Sequence, residues 1–193
     1  MVLPCYKYIN QGIRIDENNK KIQFFTFHSK LINQQYLIEV FCLEYDIYVI
    51  QFYLKTHRLS KDRFSLLVPK TKNSRENNNK HVFYLLNTMI NIAKDIIIEN
   101  VNTSIGFMGA PTIEEKNYDS NSTNINPDNT VKNTKRHRVY SLFVKRYFSP
   151  ELFTHIEYED SSCYLLKNKK NFKFDKKAAD DYLNEIILEK INQ

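Results

Sequence analysis

The run Tyr36-Leu37-Ile38-Glu39-Val40-Phe41-Cys42-Leu43-Glu44-Tyr45-Asp46-Ile47-Tyr48-Val49-Ile50-Gln51-Phe52-Tyr53-Leu54-Lys55 holds two strand-like halves around a polar hinge. The first half, Tyr36 to Leu43, is apolar and broken only by Glu39. The second, Ile47 to Lys55, is dominated by β-branched and aromatic residues, which suit a pleated, half-buried surface. Glu44-Tyr45-Asp46 between them turns the chain, so the natural expectation is an antiparallel hairpin. Upstream, Ile22 to His28 is rich in aromatics and reads as a strand that precedes the hairpin. Downstream, Phe64 to Val68 reads as a further short strand, ended by Pro69.

Beyond the hairpin the period changes. Val82, Leu85, Leu86, Met89, Ile90, Ala93, Ile96 and Ile97 recur at spacings of three and four, which predicts a helix over 78–99 with one face on the sheet. Thr103 to Met108 looks like a central strand stopped by Gly109-Ala110-Pro111. Gly106 and Gly109 fall there, and glycine at such a place marks either a simple strand exit or the close approach of another backbone or a ligand. Residues 111–133 are rich in Asn, Ser, Asp and Thr without apolar period, so an exposed, flexible loop is expected. Thr134 can cap a helix running to Phe148, with Val139, Phe143 and Tyr147 on its inner face and Tyr140 and Leu142 beside it. A strand follows within Leu152 to Lys167, best seen in Ser162 to Lys167. Residues 176–191 predict a C-terminal amphipathic helix, with Ala179, Tyr182, Leu183, Ile186, Ile187 and Ile191 on one face to cover the sheet or a second subunit as a homo-oligomer contact. The fold class expected is α/β (α+β): a mixed, largely antiparallel sheet flanked by helices, in one domain over 1–193.

The composition narrows the class of protein. At 193 residues and 42% hydrophobic, the chain can build a real core. Its abundance of Asn, Lys, Ile, Tyr and Phe reads as an AT-rich coding sequence and carries little functional meaning. The net charge of +6 favours nucleic acid, phosphorylated ligands or acidic proteins as partners. Cys5, Cys42 and Cys163 are isolated, with no zinc-ligand spacing to any His, which points to free thiols in a reducing compartment. No signal-peptide h-region opens the sequence and no apolar run suits a bilayer, so a cytoplasmic location without membrane contact is expected.

The strongest chemical feature is Lys135-Arg136-His137-Arg138, followed by Lys145-Arg146. A helix start carries partial positive charge and unpaired N–H groups, so cations there are mildly unfavourable, by about 0.3–1 kcal/mol each. An anion would resolve the conflict. The alternatives are that these side chains splay into water or pair with Glu114, Glu115, Glu157, Glu159 or Asp160. Lys135, Arg136, Arg138, Lys145 and Arg146 are therefore candidate anion-binding residues. Lys72, Arg75 and Lys80, before the long helix, form a weaker phosphate-loop equivalent that lacks the glycines of a P-loop. His28, His57, His81, His137 and His155 are scattered, and no metal site is expected. Glu157 to Asp160 on a strand reads as a solvated face.

Two resemblances rest on these residues. The segment Ile105 to Lys169, with Ile105-Gly106-Phe107-Met108-Gly109-Ala110, Asn133-Thr134-Lys135-Arg136-His137-Arg138-Val139-Tyr140 and the Tyr164-Leu165-Leu166 strand, resembles a group of uncharacterised bacterial proteins of similar length. The same segment is distantly similar to the second half of GCN5-related N-acetyltransferases, with Asn133, Val139 and Tyr140 at matching spacing and Arg136 where that superfamily usually has Ala. That resemblance implies a core order β-β-β-α-β-α-β plus the C-terminal helix, acetyl-CoA as cofactor, and Tyr140 as the general acid that protonates the departing thiolate. Arg75 to Asn79 has an Arg but none of the glycines of that superfamily's pyrophosphate loop.

Two functions follow as expectations. One is a non-catalytic or degenerate acetyltransferase-like module with no cofactor, binding nucleic acid or a protein partner through the basic helix start, within a bacterial defence or toxin–antitoxin assembly. The other is a divergent acyl-CoA-dependent N-acyltransferase.

Overall fold

A computed structural model of the chain describes residues 4–66, 75–116, 124–127, 130–175 and 177–180. Strands β1 (Tyr8–Ile15), β2 (Lys21–Ser29), β3 (Gln34–Leu43) and β4 (Ile47–Leu54) come first, then helix α1 (Arg75–Glu99) and strand β5 (Ser104–Met108). The short helix α2 (Ile113–Lys116), helix α3 (Lys135–Tyr147) and the pair β6 (Phe153–Tyr158) and β7 (Cys163–Asn168) complete the order. The seven strands form one sheet in the order β1-β2-β3-β4-β5-β7-β6. Every neighbouring pair is antiparallel except β4 and β5, which run parallel. The mixed α+β class with a largely antiparallel sheet is thus the observed one.

The expected hairpin is β3–β4, in continuous register from Tyr36↔Leu54 to Leu43↔Ile47. Its turn uses no glycine, although Tyr45 and Asp46 both sit in the left-handed region, at φ of 58° and 57°. Non-glycine residues resist that conformation by about 1–2 kcal/mol each. Two asparagine amides offset the cost. Asn171 Nδ2 donates to the Tyr45 carbonyl at 2.7 Å, and Asn100 Nδ2 donates to the Asp46 carboxylate at 2.8 Å.

One face of the sheet carries the main core. Phe25 and Phe27 of β2, Tyr36, Ile38 and Val40 of β3, and Ile50, Phe52 and Leu54 of β4 meet α1 and α3 there. Helix α1 contributes Leu85, Leu86, Met89, Ile90, Ala93 and Ile96, the stripe read from the sequence. Each such side chain stabilises the fold by about 1.5–3 kcal/mol on full burial. The opposite face is covered in two patches. Ile47, Val49, Cys163 and Leu165 pack under Phe174 and Ala179, while Phe24, Leu37 and Tyr53 pack with Phe64.

Several expectations need correction. Strand β1 has no counterpart in the sequence reading, because Asn10, Gln11 and Gly12 interrupt its apolar pattern. They form a bulge where the register shifts between Asn10 and Ile13, and Gly12 takes a φ of +87°. Phe64 and Ser65 lie in a turn and not in a strand, and 67–68 lie outside the described residues. The loop expected over 111–133 contains helix α2 and a bridge between Ile125 and Val131, and 117–123 and 128–129 lie outside the described residues. The last sheet segment is a hairpin, β6–β7, rather than one strand. Of the expected C-terminal helix, 177–180 are helical, and 176 and 181–193 lie outside the described residues. Among the described residues, no helix is long and apolar enough to cross a membrane.

Candidate functional site

The site forms where the sheet comes apart. β4 pairs with β3 along its whole length but with β5 only over Ile47–Ile50 against Ser104–Phe107. Past Ile50 the two parallel strands part. The gap holds a cavity of about 20 Å³, room for roughly one water, whose walls include Gln51, Phe52, Met108, Arg136 and Tyr140. It adjoins a groove of about 410 Å³ between α1 and α3, lined chiefly by Phe52, Val82, Leu85, Leu86, Ile113 and Val139. Arg136 and Tyr140 line both spaces.

Helix α3 is fixed in place by its first turn. The Thr134 side chain accepts from the His137 N–H at 3.1 Å and donates to the Gly109 carbonyl at 2.7 Å. The Gly109 N–H donates to the Ser162 carbonyl at 2.9 Å, and the Thr134 N–H donates to Ser162 Oγ at 3.1 Å. A Cβ on Gly109 would stand 2.5 Å from the His137 nitrogen, so glycine is required by a neighbouring backbone. The close approach considered for Gly109 is therefore that of the start of α3. It locks α3 to the end of β5 and thereby aims Arg136 and Tyr140, one turn apart on the helix, at the gap.

The anion that the basic helix start calls for is supplied by the chain itself. Glu115 Oε1 accepts from the Lys135 N–H at 2.7 Å, while its other oxygen accepts from the N–H and hydroxyl of Thr112. Burial acts to raise the Glu115 pKa, but these hydrogen bonds and Lys135 outweigh it and hold the carboxyl below its usual range. Lys135 Nζ lies 3.7 Å from Glu114, and Arg138 folds back onto the Asn133 carbonyl. Lys145 pairs with Glu157 at 2.5 Å, and Ser141 donates to the same carboxylate. Arg146 lies over the Tyr147 ring, 5.7 Å from its centroid. His137 does not belong to the charged surface at all. It is buried against the Cys163 carbonyl, and burial lowers its pKa, so it is a neutral part of the core. The inner face of α3 is accordingly His137, Tyr140, Ser141 and Val144, not the Val139–Phe143–Tyr147 stripe expected, and Leu142 points outward.

Arg136 differs from the other cations. Its guanidinium turns inward and donates to the carbonyls of Phe64 and Ser65. Among the described residues no carboxylate lies within salt-bridge distance of it. Burial lowers its pKa, while Tyr140, Glu115 and Tyr36 act the other way. A buried cation without a counter-ion costs several kcal/mol, so its place in the wall of a cavity is a functional signal. Tyr140 stands beside it, only 7% exposed, its ring 6.1 Å from Phe52. Burial pushes its hydroxyl up to about 12, with Arg136 pulling the other way, so the group is a proton donor at neutral pH. Among the described residues, the Tyr140 hydroxyl has no hydrogen-bond partner.

Of the phosphate-loop candidates, Lys80 is exposed on the first turns of α1 with its ammonium 5.9 Å from the Tyr84 ring centroid. Lys72 and the Arg75 side chain lie outside the described residues. Among the described residues, no group of His, Cys, Asp or Glu gathers to hold a metal. Sequence reasoning missed the site's other walls. Gln51 and Phe52 look like ordinary strand residues, and the two carbonyls that receive Arg136 are some seventy positions away. The signal that could have pointed there is the Arg136–Tyr140 spacing on one helix face. Comparison with known proteins finds no matching family model, no matching curated protein and no matching solved structure.

Proposed function

We propose that the chain is a divergent acyl-CoA-dependent N-acyltransferase whose general acid is Tyr140. The observation that carries this reading is the Tyr140 hydroxyl itself: buried, protonated, without a hydrogen-bond partner among the described residues, and facing a gap between two parallel strands. The element order supports it as well. Consecutive antiparallel strands, a crossover helix to a parallel strand, a second helix and a closing hairpin agree with the core order that the resemblance implied.

The groove fits the donor's chemistry. Its apolar walls from Phe52, Val82, Leu85 and Leu86 suit the slender arm of an acyl carrier. Those α1 residues belong to the first half of the helix, so the groove runs towards an N-terminus where phosphate oxygens would be favoured. When bound, the cofactor supplies an acyl group activated as a thioester. Tyr140 donates its phenolic proton to the leaving sulfur. Arg136, held by the Phe64 and Ser65 carbonyls, keeps its remaining N–H donors beside Tyr140 for the acyl oxygen.

Tyr140→Phe keeps the ring against Phe52 and removes only the proton. Acyl transfer is expected to fall about 10²–10⁴-fold, while acetyl-CoA continues to raise the melting temperature as it does for the parent chain. No thermal shift at millimolar acetyl-CoA would overturn the reading. It would favour the second one, a binding module for an anionic macromolecule. The absent glycines at Arg75 to Asn79 and the exposed Arg138 and Arg146 favour that alternative.

A further inference from the structure

The sheet has a second, unexplained charge on the face away from α1 and α3. Glu39, in the middle of β3, is 9% exposed and accepts one hydrogen bond, from the Tyr53 hydroxyl at 2.5 Å. Among the described residues no cation lies within salt-bridge distance of it. A carboxylate held this far from water without a cation is costly. Its surroundings already suit a cation. The guanidinium of Arg63 lies 4.7 Å from the Phe64 ring centroid and 5.5 Å from that of Tyr53, and these two rings meet edge to face. Arg63 also acts electrostatically on the Tyr53 hydroxyl.

This recess joins the site through the gap in the sheet. Glu39 is the direct cross-strand partner of Gln51, which puts their side chains on one face and about 5 Å apart at Cβ. Gln51 and Phe64 both line the cavity that Tyr140 lines from the other side. A molecule whose planar cation rests on Phe64 and Tyr53 against Glu39 therefore has its remainder next to that cavity.

We infer that the acyl acceptor is a guanidino-amine, with its guanidinium held by Glu39, Tyr53 and Phe64 and its primary amine directed through the gap toward Tyr140. The acceptor's role rests on the acyltransferase reading; the cation subsite does not. In the resting chain Arg63 competes for the same rings. It is the chain's own stand-in for the substrate cation.

The test uses 4-aminobutylguanidine and the whole chain, with binding followed by titration calorimetry and with n-butylamine as the comparison. The parent chain is expected to prefer the guanidino-amine. Glu39→Gln keeps an acceptor for the Tyr53 hydroxyl and should weaken binding at least tenfold. Arg63→Ala removes the competitor and should tighten binding several-fold. Binding within twofold of the parent in Glu39→Gln, no gain in Arg63→Ala, or no binding by either the parent or Arg63→Ala would each overturn the proposal. The thermal shift with acetyl-CoA separates the two readings. If the guanidino-amine binds through Glu39 while acetyl-CoA gives no shift, the subsite stands and the acyltransferase reading falls.

Discussion

His81 shows how one polar side chain can be committed to the fold. It is fully buried near the start of α1, and both ring nitrogens are engaged. Nδ1 lies 2.8 Å from the Tyr6 hydroxyl and 3.1 Å from Ser29 Oγ, and Nε2 lies 2.9 Å from the Tyr36 hydroxyl. Ser29 in turn donates to Tyr6 at 2.9 Å. A neutral imidazole with its proton on Nε2 lets the hydroxyls of Ser29 and Tyr6 and the ring donate in one direction, ending on Tyr36. Burial lowers the His81 pKa to about 4. The unfolded chain, with an ordinary value near 6.5, binds the proton first as pH falls. Stability from this group is complete above about 6.5 and is lost between 6.5 and 4, by about 3 kcal/mol in all. Thermal melts from pH 7 to pH 4.5 should show the melting temperature falling. In His81→Phe that slope should flatten, while stability at pH 7 drops by about 1–3 kcal/mol because hydroxyls lose their partner. None of this was legible in the sequence. His81 looks like one scattered histidine among five, and its partners Tyr6, Ser29 and Tyr36 come from three separate segments.

At the scale of elements, helix α3 was legible in position and illegible in purpose. Thr134 as its cap and its end near Phe148 follow from local chemistry, and both hold. Its buried face was misread because two of the inward residues, His137 and Ser141, are polar. They are inward because β7 and β6 offer them a carbonyl and a carboxylate. The load of cations at its start is balanced by Glu115, from a segment that reads as featureless loop. Glu115→Gln keeps the shape but removes the charge that faces the helix start. It should cost about 1–2 kcal/mol, measured by chemical denaturation at pH 7. The same substitution should matter less as pH falls through the carboxylate range, since protonation of Glu115 removes the same charge. A cost that did not shrink at low pH would point to altered packing instead.

At the scale of the whole molecule, the strands β2, β3 and β4 were readable because each pairs with its neighbour in sequence. The sheet order beyond β4 was not, because β5, β7 and β6 are placed by contacts across the α1 crossover. That division has a consequence for how the chain acquires and loses its structure. Strands β1 to β4 form one block of successive hairpins, and β5, β7 and β6 form another. Only four parallel residue pairs join them. Closing a hairpin restricts a few residues, whereas joining the blocks requires the long segment between Leu54 and Ser104 to be ordered first. The two blocks are therefore expected to behave as separate cooperative units in native-state hydrogen exchange. Amides of β6 and β7 should open together at a lower free energy than those of β2 and β3, and uniform protection across all seven strands would contradict this. The parting of β4 from β5 that admits Tyr140 is then also the line along which the molecule comes undone.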